Sequence, residues 1–283
     1  MNRKIIDPVG GQALIEGVMM RSKNVVSMST RKKDGSIVTK TLRHTPLNVS
    51  KPYNYPIIRG SVGMIDMLVI GFKALNWSAD QQLGKEEKIT SREIISTTFL
   101  ALVGTFLIFV ALPYYLSTLI TTPDGVIFHI IDGLLRLALF VGYISLISLM
   151  SDVRTMFEYH GAEHKAVHCY ESGKKLTPEN VLRFPKEHPR CGTSFLIIVL
   201  AISIITFSIV RTDSSFWNVA LRIILIPLIM GVSYEFLKLS AKNADGNMFK
   251  FIVAPGLWMQ KITTREPNKK QAEVAITALK NAL

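Results

Sequence analysis

The residues best suited to chemistry are concentrated between Tyr159 and Thr193, a stretch that holds four of the six histidines and both cysteines. If its first half is helical, at about 100° per residue, the imidazole and carboxylate side chains share an arc of roughly 140°. These side chains are His160, Glu163, His164, His168 and Glu171. Cys169 would point away from them, so the pattern predicts a single liganding face.

The order His160-x-x-Glu163-His164 predicts a metal site. Histidines at i and i+4 present two imidazoles to one metal, and H-x-x-E-H is the inverted zincin order, in which the glutamate activates a water molecule. A catalytic zinc normally takes three protein ligands and keeps one position open. The candidates for the third ligand are His168, His188 and Cys191. The cofactor expected is therefore a divalent metal ion, with zinc as its predicted identity.

Two side chains are candidates for catalytic roles at such a site. Glu163 would be the general base, and Arg190, next to Cys191, could orient a carbonyl or phosphate oxygen of a substrate. The alternative is a histidine-rich amphipathic helix at a polar surface, where Glu163 and Glu171 pair with lysines. The residue pattern leaves both interpretations open.

The rest of the chain has the composition of a membrane protein, with 48% hydrophobic residues and a positive mean hydropathy. Segments 94–120 and 191–210 contain no charged residue, and each is long enough to cross about 30 Å of hydrocarbon. Segments 126–150 and 216–237 are also long enough, although charges lie inside them. We therefore expect four transmembrane helices.

The net charge of +12 is explained by where the basic residues lie. Residues 1–93 carry 15 lysines and arginines, residues 151–193 carry 7 and residues 238–283 carry 8. The positive-inside rule then predicts a multi-pass protein of the cell membrane with both termini and the His/Cys stretch in the cytoplasm. No nucleic-acid partner is expected, because the basic excess is accounted for and no groove-reading or base-stacking motif is present.

The fold class expected is a mainly α membrane protein with a small β-rich N-terminal cytoplasmic region and a His/Cys-rich cytoplasmic loop between the second and third spans. Asp34-Gly35 between two alternating runs predicts a β-hairpin in that region. The segments expected are 1–56, β-rich; 57–93, an interfacial helix and charged linker; 94–150, a transmembrane hairpin; 151–193, the metal-site loop; 194–238, a second transmembrane hairpin; and 239–283, a cytoplasmic amphipathic tail. Within the tail, residues 271–283 are predicted to form a surface helix.

Charged residues inside the predicted spans need a separate explanation. Arg136 lies about halfway across the second span, and Asp132, one helical turn away, is its natural partner. Arg222 lies near the outer end of the fourth span, where its side chain could snorkel to the interface. The Asp132/Arg136 pair is either functional or a structural ion pair that fixes helix packing.

Four blocks of sequence carry a resemblance to a known family. They are GGQALIEGVMMR at 10–21, HGAEHK at 160–165, HPRCGTS at 188–194 and PGLWMQ at 255–260. In this order they resemble the signature blocks of the YqhQ-like family of bacterial membrane proteins, and the resemblance covers nearly the whole chain. It implies a membrane location within a group described as predicted metal-dependent enzymes, and it implies little about the reaction.

Two functions of different classes follow from these features. The first is a metal-dependent hydrolase at the cytoplasmic face of the membrane, acting on a peptide or lipid-linked substrate. The second is a non-enzymatic membrane scaffold, transporter or insertion factor with a structural metal. Closed coordination by four protein ligands, for example two histidines together with His188 and Cys191, would favour the second function, because no open position would remain on the metal. The partners expected are the lipid bilayer and either a membrane protein or a lipid-linked substrate.

Overall fold

The computed structural model describes residues 9–83, 90–122, 125–210, 212, 214–242 and 247–283. Parts of the predicted charged linker and of both predicted outer connections lie outside these residues. The described chain is mainly helical, with one small antiparallel sheet at its N-terminal end. The strands are β1 Gly10–Leu14, β2 Gly17–Arg21, β3 Val25–Arg31 and β4 Ile37–Arg43. The helices are α1 Ile58–Gln82, α2 Ser91–Phe106, α3 Leu112–Thr118, α4 Val126–Ile147, α5 Ser151–Glu171, α6 Pro178–Leu182, α7 Gly192–Ile209, α8 Ser215–Ile224, α9 Ile226–Lys242, α10 Asn247–Thr263 and α11 Lys269–Ala282.

The four strands form a meander in the order β1-β2-β3-β4. The hairpin predicted at Asp34-Gly35 is confirmed, and it joins β3 to β4. Gly35 has φ +86°, a conformation that favours glycine, and the Asp34 carboxylate accepts a hydrogen bond from the Ser36 backbone at 2.9 Å. Local turn chemistry therefore sets the register of this hairpin.

Helices cover both faces of the sheet along β2 and β3, whereas the last four residues of β4 are exposed. Val18 and Met20 of β2 point to a core shared with α5 and α11, whereas Met19 between them points to a second core shared with α1. This is the two-residue alternation of a strand. The sheet thereby connects α1 to the helix that carries the histidines.

The prediction of a surface helix at 271–283 is wrong. The side chains of Val274 and Leu279 in α11 are fully buried, and the helix packs against α5, β2 and β3. Four alanines among its buried residues let it approach these elements closely: Ala272, Ala275, Ala278 and Ala282. A helix with so many alanines gives little hydrophobic signal in sequence, yet it lies at the centre of the core that it shares with the sheet and α5.

Three helical stretches are long and apolar enough to cross a membrane, in agreement with a membrane protein. They are Arg92–Thr118, α4 and α7. The first of these stretches runs continuously through α2 and α3. Helices α8 and α9 meet at a bend of 46° and make a fourth candidate if the pair crosses as one unit. Pro227 lies at this bend, where its missing N–H interrupts the helical hydrogen bonding.

Helix α1 is attached to α9 by a close crossing and an ion pair. A Cβ atom on Gly60 would lie 2.7 Å from the Cβ of Tyr234, so only glycine allows this approach. Nearby, the Arg59 Nε donates to the Glu235 carboxylate at 2.7 Å. Glu235 is therefore engaged with α1 and does not reach the histidines.

The charges inside the membrane helices form one cluster. Asp132 pairs with Arg136, as predicted, at 3.3 Å. Arg222 does not snorkel: it is buried and pairs with the same Asp132 carboxylate. Arg222 lies on α8, on the other side of the bend from α9, and its guanidinium reaches Asp132 of α4.

Candidate metal centre

The segment expected as a His/Cys loop, 151–193, contains two helices, and the longer one, α5, makes up about half of it. This helix ends at Glu171, and Gly173, two residues later, has φ +70°, the left-handed conformation common after a helix C-terminus. Cys169 is buried in the core on the side of α11, away from the histidines, as predicted. One face of helix α5 therefore packs against the sheet and α11. Its imidazoles lie on the other side, toward the segment that leads into α7.

The structure sorts the predicted ligands into two neighbouring triads. In the first, His160, His164 and Cys191 bring their ligand atoms within 4.8 Å of one another. The Cys191 Sγ lies 3.3 Å from the His160 Nε2. Tetrahedral zinc with ordinary Zn–N and Zn–S bonds separates its ligand atoms by about 3.3–3.6 Å. The first triad therefore has the donor types and spacing of a three-ligand metal site.

Both histidines of the first triad are oriented by backbone carbonyls. The His160 Nδ1 donates to the Thr263 carbonyl at 2.8 Å, and the His164 Nδ1 donates to the Lys186 carbonyl. These hydrogen bonds fix the tautomer and leave each Nε2 without a proton, which is the arrangement found around metal-binding histidines. Thr193 supports the third member by donating its hydroxyl to the Cys191 Sγ at 3.4 Å.

Glu163 lies beside the first triad with one oxygen that has no hydrogen-bond partner. Its side chain is 5% exposed, and Oε2 is buried without a partner among the described residues. The backbone of Gly11 in β1 hydrogen-bonds to the carboxylate. Gly11 also lies directly over it: a Cβ atom on Gly11 would be 3.1 Å from the Glu163 Oε1. Burial raises the pKa of Glu163 from 4.5 to about 8, although the neighbouring His160 opposes this shift.

Burial also controls the protonation of the other groups in the site. It lowers the pKa of His164 well below its usual value, and it lowers the pKa of His188 to about 4. Both imidazoles are therefore neutral at pH 7, the form that binds metals. Burial raises the pKa of the Cys191 thiol, so a nearby cation is needed to favour its thiolate form.

The second triad consists of His168, Glu171 and His188. The His168 and His188 rings are 4.4 Å apart, and the His188 Nε2 lies 3.5 Å from the Glu171 carboxylate. Arg190 forms an ion pair with Glu171 and is about half exposed. Glu171 was not among the predicted ligands, and Arg190 is held at this triad through its contact with Glu171.

Two buried side chains that the sequence analysis did not single out hold the segment from 182 to 191 in place. Gln260 of α10 binds both backbone groups of His188, accepting from its N–H at 2.7 Å and donating to its carbonyl at 2.9 Å. Lys165 donates to the Leu182 and Phe184 carbonyls at 3.1 and 2.7 Å. Gln260 lies in the block PGLWMQ and Lys165 lies in the block HGAEHK. Their place in these blocks is the one sequence signal that points to them.

A close crossing at Gly161 brings the Thr263 carbonyl to His160. A Cβ on Gly161 would overlap the Arg265 carbonyl oxygen, whereas Gly192, beside Cys191, has open space around it. We expect Gly161→Ala to lower metal affinity roughly 10–100-fold, the usual loss when an outer-shell partner moves, and Gly192→Ala to leave it unchanged. Titration of the metal-free variants with zinc and a competing chelator measures both, and equal affinities would contradict the prediction.

Comparison with known proteins places the chain in a family. Residues 55–283 match the family described as "Protein of unknown function (DUF1385)". A relative from Bacillus subtilis (strain 168), described as "Uncharacterized protein YqhQ", is 36% identical over 304 residues, covering 99% of this chain and 93% of that protein. No solved structure matches the chain. The resemblance of the four blocks is thus confirmed along the chain, which belongs to the YqhQ-like DUF1385 family.

Proposed function

We propose that the protein is a metal-dependent hydrolase whose active site is the first triad with Glu163. The observation that carries the proposal is the buried, unpartnered Glu163 Oε2 beside two imidazoles and a thiol that converge on one point. A buried carboxylate oxygen without a hydrogen-bond partner is costly in a purely structural role. Its position next to the second histidine is the one that the inverted zincin order requires.

His160, His164 and Cys191 would hold a divalent metal, with zinc favoured by the mixed nitrogen and sulfur donors. Such a metal supplies Lewis acidity and lowers the pKa of water in its open position. Its positive charge would also lower the pKa of Glu163, so that the carboxylate could accept a proton from water and return it to the leaving group. Arg190 would orient a substrate oxygen after releasing Glu171.

The packing of the region outside the membrane supports four crossings with both termini in the cytoplasm. The sheet, α5 and α11 share one core, so all three lie on the same side of the membrane. If α7 were the last span, α11 would lie on the opposite side of the membrane from α5. Helices α8 and α9 would therefore cross back as one bent span. Together with the basic residues on this side, the positive-inside rule makes it the cytoplasmic side of the cell membrane.

The place of the site along the chain favours a membrane-embedded or membrane-bound substrate. Cys191 immediately precedes the candidate span α7, and α5 begins four residues after the end of α4. The site would therefore lie at the inner mouth of the helix bundle. A peptide segment of a membrane protein or a lipid-linked group could reach it without leaving the bilayer.

The test uses oxygen from water as the readout, because hydrolysis adds one water oxygen to a product. Zinc-loaded protein in lipid nanodiscs is incubated with a bacterial membrane extract in H₂¹⁸O, and labelled carboxylates and phosphates are identified by mass spectrometry. Wild type and the matched control Glu158→Gln should give the same labelled products, and Glu163→Gln should bind metal but give none. Equal labelling by Glu163→Gln would contradict the mechanism. A cobalt spectrum with four protein ligands and no exchangeable water would favour the structural-metal alternative.

A further inference from the structure

A cavity of about 220 Å³ lies between the membrane helices, away from the metal centre. Apolar side chains of α4, α7 and α9 line it, together with Arg136 and Arg222. Two of the lining side chains, Leu196 and Ile226, are 47% and 43% exposed, so the cavity opens to the surface of the helix bundle. That surface faces hydrocarbon in a spanning bundle, and a ligand would therefore enter from the lipid.

The cavity contains one unbalanced positive charge, because its two arginines share a single carboxylate. Arg222 is fixed, because it pairs with Asp132 and its guanidinium lies 5.0 and 4.8 Å from the ring centroids of Tyr114 and Phe207. Arg136 makes only long hydrogen bonds to the same carboxylate, at 3.3 and 3.5 Å. Within the described part of the chain, Asp132 is the only carboxylate that pairs with either arginine, so a monoanion would balance the cluster.

The depth of Arg136 limits the type of anion. It lies ten residues after the start of α4, which is about 15 Å along the helix axis and half of a hydrocarbon core of about 30 Å. A phospholipid head group at this depth would draw its polar glycerol and ester groups out of the interface and into the hydrocarbon. A carboxylate on a single chain needs neither, and its tail fits against the apolar wall formed by Leu196, Val199 and Leu200.

We propose that this cavity binds a long-chain carboxylate, with its head group on the free donors of Arg136 and its alkyl chain along α7. The contact is a charge-assisted hydrogen bond in a low-dielectric site, where an excess buried cation is otherwise costly. The ligand class is a monoanionic, single-chain amphiphile. The site is separate from the metal centre and does not depend on the hydrolase proposal.

The test measures palmitate binding to the full-length protein in an uncharged detergent by native mass spectrometry. Arg136→Gln leaves the neutral Asp132–Arg222 pair and should weaken binding at least about tenfold. Adding Asp132→Asn to that variant restores one excess positive charge and should bring the affinity back to within about threefold of wild type. Ser203→Phe, which keeps all charges but fills the cavity, should abolish binding.

Uncharged hexadecanol and acetate test the tail and the head group separately, and both should bind much more weakly than palmitate. Equal binding of hexadecanol would overturn the role of charge, and equal binding of acetate would overturn the role of the chain. Displacement of palmitate by an equal concentration of phosphatidylglycerol would assign the cavity to a phospholipid and overturn the proposal. Unchanged palmitate binding to Arg136→Gln would overturn it as well, with thermal unfolding and metal content confirming that each variant is folded.

Discussion

Replacing His160 and His164 together with alanine is expected to remove about one equivalent of divalent metal from the purified protein. These two imidazoles form the first triad with Cys191. Backbone carbonyls hold their Nδ1 atoms, so each Nε2 is left to bind the metal. Loss of an outer-shell partner alone costs 10–100-fold in metal affinity, so loss of two ligands should reduce occupancy below detection. Elemental mass spectrometry of wild type and variant after zinc reconstitution measures the difference.

The second triad provides the matched comparison for this experiment. His168→Ala and His188→Ala remove imidazoles of similar burial from the same region, and we expect both variants to retain the metal of the first triad. Cys191→Ser should lose most of it, because in the proposed site the Cys191 thiolate would be the third ligand. If His168→Ala lost as much metal as the His160/His164 variant, the assignment of the ligands to the first triad would be wrong.

Glu163→Gln should stabilise the metal-free protein strongly at pH 8 and hardly at all at pH 4.5. Because the pKa of Glu163 is about 8 in the folded state and 4.5 is its ordinary value, the unfolded chain releases a proton that the folded protein retains between these values. The free energy of unfolding therefore falls as the pH rises through this window, by an amount on the order of 4 kcal/mol. Glutamine has no such proton, so the variant escapes this loss.

Thermal unfolding of metal-free wild type and Glu163→Gln in detergent, from pH 4.5 to 8.5, measures this effect as a widening difference in Tm. Glu158→Gln on the same helix is the matched control, because Glu158 keeps contact with water. Zinc should narrow the difference between Glu163→Gln and wild type, since a nearby cation stabilises the carboxylate. A difference in Tm that did not change with pH would show that Glu163 is not protonated in the folded apo state.

The face of α5 could be predicted from sequence because helical spacing is a local property. His160, Glu163 and His164 share a face in any α-helix, whatever surrounds them. The partner of these histidines could not be chosen, since His188 and Cys191 are only three residues apart in a turn. Their separation into two triads depends on Gln260, which fixes the backbone of His188 from a helix more than seventy residues away.

Two errors of the sequence analysis have the same physical origin. The burial of α11 depends on alanines, whose small side chains give little hydrophobic signal but permit close packing. The pairing of Arg222 depends on which helices pack together, and position along a hydrophobic segment does not reveal it. In both cases the deciding interaction lies between elements distant in sequence.

The metal centre draws its parts from both ends of the chain, and this has a consequence for biosynthesis. Gly11 near the N-terminus covers Glu163, the Thr263 carbonyl orients His160, and the Ser22 hydroxyl donates to the Ala282 carbonyl at 2.6 Å. While the earlier helices are entering the membrane, α10 and α11 are still in or on the ribosome. The site therefore stays incomplete until these helices are released, so nascent chains cannot capture a metal in the final geometry.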